Sequence, residues 1–214
     1  MPAPPPWPYR PQREPSRTAD PRALDWERIE NWTASVVEED LLAIGKVFMA
    51  AGADQPEVVW NPAARDLDAP PLSFLLRRWS SLADGGLPHL RQIDPVELRP
   101  ALGYIMLLDA IDGGRDFRYR LYGSKIAHIS NLDMTGRLLS EHPASAYVAE
   151  FGIAVYRAAL IRRAPVYSTR RPTMAEFTAR WQRLALPLVD DSGAVVRILA
   201  ATVAIGGDGN MIHG

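Results

Sequence analysis

The sequence predicts an α+β domain with a five-stranded antiparallel sheet and flanking helices, preceded by an N-terminal helical extension. Three observations predict it. Asp190-Asp191-Ser192-Gly193 lies between two apolar runs and marks a tight hairpin. Residues 117–122 alternate apolar and basic positions, the period of a strand with one wet side. The element order is two strands, helices, then three strands, and both strand groups hold adjacent antiparallel candidates.

The elements follow in order. Eight of the 19 prolines lie before Arg22, so residues 1–22 read as a disordered, polyproline-like tail. Such a tail can also serve as a proline-rich ligand. Residues 23–84 read as the helical extension. Ile29, Trp32 and Val36 form an apolar stripe that Val37, Leu41, Ile44 and Phe48 continue one position out of phase, and Gly52 is the stop. The stripe must be covered, and a second copy of the chain is the expected cover, which predicts a homodimer. Residues 55–71 hold four prolines and read as a loop, followed by a helix over 72–82.

Residues 85–206 carry the sheet. Strands are expected over 102–110, 117–122, 166–171, 178–188 and 194–205, with Asp112-Gly113-Gly114 as a turn. Pro187 cannot donate to a ladder and belongs at an edge or a strand end. Short helical turns fill 123–139. A helix presenting Tyr147, Phe151, Val155 and Ala158 runs to about Arg163, where Pro165 ends it. Residues 207–214 read as a flexible tail.

Composition narrows the function. The 214 residues carry 24 Lys+Arg against 25 Asp+Glu, a balance unlike that of a dedicated nucleic-acid binder. Without cysteine there is no disulfide, thiolate metal site or cysteine nucleophile. No stretch approaches the ~18 apolar residues of a membrane span, and the N-terminus lacks the apolar centre of a secretory signal. A cytoplasmic protein is expected. Phosphate loops, HExxH and GxSxG are absent from the sequence. Asp190 and Asp191 are explained by their hairpin, so no metal is expected.

Gly86-Leu87-Pro88, Ile93-Asp94-Pro95, Leu107-Leu108-Asp109, Phe117 to Leu121, Gly123-Ser124, Asp133-Met134-Thr135-Gly136-Arg137, Arg183 to Gly193 and Ile198-Leu199 follow one another in an ordered set. Together these segments resemble a bacterial PAS-like domain family of unknown function. They span about residues 79–205. The resemblance implies a PAS fold and a non-catalytic sensory or regulatory role, and it fixes no cofactor or functional residue. Some PAS domains bind haem through a histidine, and His128 is the histidine placed for that; a structural or exposed histidine is the simpler reading. The remaining length holds no kinase, cyclase or DNA-binding module, so output is expected through a signalling partner in trans or through dimer geometry.

A ligand pocket is expected between the inner sheet face and the helices. Period-two counting puts Phe117, Tyr119 and Leu121 on its wall. Tyr147 and Phe151 come from the long helix and Leu184 from the penultimate strand, with His128, Tyr156 and Trp181 as polar handles at the rim. This lining suits a small apolar or aromatic ligand. Core packing explains the same residues, which leaves a ligand-free structural interaction module as the alternative, and a small α+β enzyme as the third. Seven arginines between Arg157 and Arg183 face one acid, Glu176. They read either as an anion-binding surface or as a solvated strand face.

Overall fold

The computed structural model describes residues 23–171 and 179–213; the proline-rich segment 1–22 lies outside them. Six strands form one antiparallel sheet in the order β1-β4-β5-β6-β2-β3. They are β1 (Glu57–Trp60), β2 (Ile105–Ile111), β3 (Asp116–Tyr122), β4 (Val166–Arg170), β5 (Arg180–Val189) and β6 (Val195–Ile205). The helices are α1 (Trp26–Glu38), α2 (Leu42–Ala50), α3 (Pro70–Leu82), α4 (Ser124–Ser130) and α5 (Ala146–Arg162). The α+β class and the antiparallel sheet are as expected. The count of five strands is corrected to six. Glu57-Val58-Val59-Trp60, hidden between Pro56 and Pro62 in the expected loop, pairs with β4 from Glu57 opposite Thr169 to Trp60 opposite Val166. Flanking prolines suit an edge strand, which has one ladder to satisfy.

The expected single N-terminal helix is two. Asp25 caps α1 by accepting from the Arg28 N–H at 2.9 Å. Glu39 then adopts a left-handed φ of 64° and ends it. The phase shift in the apolar stripe, between Val36 and Val37, lies in the last turn of α1, just before this break. Ile29, Trp32, Val36, Ile44 and Phe48 are all buried within the chain's own core. The stripe is therefore covered without a second copy, contrary to the expected dimer contact through it.

The sheet is covered on both faces. On the inner face lie α4 and α5, with α1 and α2 packed outside α5; Met106, Leu108, Phe117, Tyr119, Ala185, Ile198 and Ala200 belong to this core. On the outer face lie α3 and the turns of residues 99–104, over Leu184, Leu186, Leu188, Leu199, Ala201 and Val203. Two covers explain why β5 and β6 read as near-continuous apolar runs. They also explain α5, whose residues are apolar nearly all round because sheet and α1 enclose it. Its one buried acid, Glu150, accepts from Arg28 Nε and Nη2 at 2.8 Å each and from the Asp25 N–H at 2.8 Å. This fork ties the start of α1 to α5.

Three local devices complete the frame. Pro187 lies beyond the stretch of β5 that pairs with β4, so its missing N–H breaks no ladder, and its carbonyl accepts from Trp79 Nε1 at 3.0 Å. At the β5–β6 hairpin, Asp190 Oδ1 accepts from the Ser192 N–H at 2.9 Å and the Ser192 hydroxyl at 2.6 Å. Residues 207–213, expected as a flexible tail, turn back on β6: the Ile212 N–H donates to the Ala204 carbonyl at 2.8 Å. No helix among the described residues is long and apolar enough to cross a membrane.

Candidate functional site

The inner face of the sheet is set by pairing register. Arg170 of β4 lies opposite Trp181 of β5, and Ser168 opposite Arg183. Arg183 in turn lies opposite Thr202 of β6, and Met106 of β2 opposite Tyr122 of β3. Residues of one register share one face. Together with Ile126 and Ser130 of α4, His142 and Val148, these side chains apart from Ser168 line a partly open cavity of about 40 Å³ between sheet and helices. A larger hollow of about 530 Å³ lies elsewhere, beside α3. It is an open groove, and its lining contains none of the buried polar atoms that lack a partner.

Two guanidinium groups dominate the inner cavity. Arg183 is 8 % exposed. Its Nε donates to Thr202 Oγ1 at 3.1 Å, and its guanidinium lies 5.3 Å from the centre of the Tyr156 ring. Arg170 is buried at Nε, and that atom has no acceptor among the described residues. Burial, aided by the neighbouring Arg183 charge, lowers the Arg170 pKa to about 9. It is still a cation at neutral pH. No carboxylate pairs with either arginine among the described residues. Burial, with Arg170 next, lowers His142 to about 4, so its imidazole is neutral at pH 7. Its Nδ1 accepts from the Ala144 N–H at 3.1 Å, which leaves the proton on Nε2.

Aromatic rings pack around these cations. Tyr119 and Tyr122 meet edge to face with centres 5.2 Å apart, as do Phe117 and Tyr156 at 5.3 Å. Burial raises the phenol pKa values of Tyr119, Tyr122 and Tyr156, keeping all three protonated. The Tyr156 hydroxyl is buried without a partner among the described residues.

Of the nine site residues expected from the sequence, Trp181 lines the cavity. Phe117, Tyr119, Phe151 and Tyr156 are fully buried around it as core. Tyr147 is half-buried against Phe48, with ring centres 4.8 Å apart. Three placements are corrected. Leu121 is 39 % exposed, because the β2–β3 register slips between Leu107 and Leu108 and leaves Arg120 as an extra residue. The bulge reverses the alternation and turns Tyr122 inward in place of Leu121. Leu184 belongs to the outer core, since it differs in parity from Trp181 and Arg183. His128 is exposed on α4; the histidine at the cavity is His142.

The arginine-rich stretch divides. Arg157 pairs with Glu30 and Arg162 with Glu39, each at 2.7 Å, on the surface. Arg170 and Arg183 go inward. Parity was the available signal: once Trp181 is inward, so is Arg183.

A family model described as PAS domain matches residues 67–203, well over half of the chain. The chain belongs to the PAS domain family. The match runs from the loop before α3 into β6, so α1, α2 and β1 lie outside the matched PAS segment while sharing its core. No curated protein and no solved structure matches the chain significantly. PAS domains are in general sensory and regulatory modules, and the cavity lies between the sheet of this PAS domain and its helices.

Proposed function

We propose that this protein is a non-catalytic sensory or regulatory module that binds a small ligand between the inner sheet face and helices α4 and α5. Its state passes to a signalling partner in trans. One observation carries this reading: the interior cavity is lined by two buried guanidinium groups without a carboxylate, and the Nε of one, Arg170, has no acceptor among the described residues. Buried polar atoms are nearly always hydrogen-bonded, so an unaccepted donor at a cavity favours a guest that accepts from it. A cytoplasmic setting and a homodimer belong to the same proposal. With the α1–α2 stripe buried, a dimer contact uses other surfaces, and exposed Leu42 and Met49 on α2 are candidates. The packing of Phe117, Tyr119, Phe151 and Tyr156, each at most 1 % exposed, favours the second reading, an interaction module with a filled core.

Thermal-shift screening separates the two, using a panel of neutral aromatic, neutral aliphatic and acidic metabolites. A compound that stabilises the parent and the Leu184→Val variant but not Trp181→Ala supports the ligand reading, because Leu184 lies on the opposite face. Failure of every class favours the interaction module.

A further inference from the structure

The cavity has a sign and a size. Two guanidinium groups, from Arg170 and Arg183, line a partly open cavity of about 40 Å³. Neither has a carboxylate partner among the described residues. Taking a charge out of water is costly unless an opposite charge or several hydrogen bonds replace the lost solvation. Arg183 has Thr202 and the Tyr156 ring. Arg170 lines the same space and keeps a buried Nε that has no acceptor among the described residues. A neutral apolar or aromatic guest leaves these groups as they are. An anion satisfies them.

Size and shape then select the anion. One water needs roughly 10–15 Å³ of such space, so the cavity takes about three water-sized positions. That suits three or four heavy atoms, and a larger guest has to reach out through the open side. Guanidinium forks match a planar carboxylate through paired N–H donors. Met106, Ile126 and Val148 supply an apolar end for a short alkyl group. Ser130 and Thr202 line the same space with hydroxyls, and neutral His142 adds a dipole without a third positive charge.

We propose that this site binds a short-chain carboxylate of acetate size, with the carboxylate against Arg170 and Arg183 and the alkyl end against Met106, Ile126 and Val148. The proposal rests on the sensory reading and names its ligand class.

The test is calorimetric titration of the full chain with sodium acetate at pH 7, with sodium chloride at equal ionic strength as the control. Saturable binding of acetate beyond chloride is expected. Arg170→Met and Arg183→Met, each checked for native far-UV circular dichroism, should weaken it at least about tenfold, the loss expected for one charge-assisted contact. Arg163→Met on the surface should leave it unchanged. Val148→Met, which fills the apolar end, should exclude acetate and retain formate. Acetate binding no stronger than chloride overturns the proposal, and so does acetate binding that survives Arg170→Met. If neutral compounds from the metabolite panel bind in a Trp181-dependent way while acetate does not, the anion assignment fails and the sensory reading stands. If neither binds, both fail.

Discussion

Replacing Phe48 by alanine tests whether the first two helices are part of the domain or an appendage to it. Phe48 has no exposed surface. Its ring lies 4.8 Å from that of Tyr147, 5.4 Å from Phe151 and 6.4 Å from Trp32, so it joins α2 to both α5 and α1. Deleting a buried phenyl ring costs about 3–5 kcal/mol in lost transfer energy and residual cavity. Against a total stability of roughly 5–15 kcal/mol that is a large fraction. For a chain of this size each kcal/mol moves the melting temperature about 2–4 °C, so Phe48→Ala should melt about 6–20 °C lower. The assay is thermal melting followed by native-state hydrogen exchange at the amides of β6, the strand between β5 and β2. If the helices and sheet form one cooperative unit, protection at β6 falls by the full amount. Unchanged β6 protection with lost protection in α1 and α2 would refute the shared-core argument.

Further outcomes follow from the same contacts. Between pH 6.5 and about 4 the unfolded chain protonates His142 while the folded chain does not, so stability should fall with acidification through that window, by about 3 kcal/mol in all. Urea unfolding at pH 7 and pH 4.5 checks this, and His142→Gln should flatten the difference between the two relative to the parent. Glu150→Ala leaves the Asp25 N–H and Arg28 without their acceptor and should cost about 3 kcal/mol, at the low end for a broken buried pair because Arg28 regains water. Glu150→Gln should recover part of the loss, read as denaturant midpoint at constant m. The bulge at Arg120 predicts that Leu121→Ala changes stability by less than about 0.5 kcal/mol, while Tyr122→Ala costs about 2 kcal/mol or more. Equal effects in thermal melts would place the two side chains on the wrong faces.

Local signals were enough for most of the fold. The 190–193 turn, the alternation at 117–120 and the stops at Gly52 and Pro165 are set by neighbours in sequence, and each appears where those neighbours put it. The edge strand β1 was invisible because its stability comes from β4, more than 100 residues away, while its own neighbours are prolines. The site was less legible than the fold. Period-two counting holds until a bulge intervenes, and nothing in Arg118-Tyr119-Arg120-Leu121 announces one. Arg170 and Arg183 look like surface residues by type. Their inward direction follows from parity with Trp181 and from a cover of helices that only tertiary structure supplies.

The fork between Arg28 and Glu150 also bears on how the chain is made. The Asp25 N–H and its acceptor on Glu150 are 125 residues apart. At roughly 5–20 residues per second of synthesis, α1 emerges about 6–25 s before the helix that covers it. Over the same interval β1 lacks β4, and Ile29, Trp32 and Phe48 face water or one another. The nascent chain therefore carries the apolar residues of α1 and α2 with no α5 to dock on until residues 146–162 have been made. A fragment ending before α5 should therefore expose Ile29, Trp32 and Phe48 and aggregate more readily than the full chain.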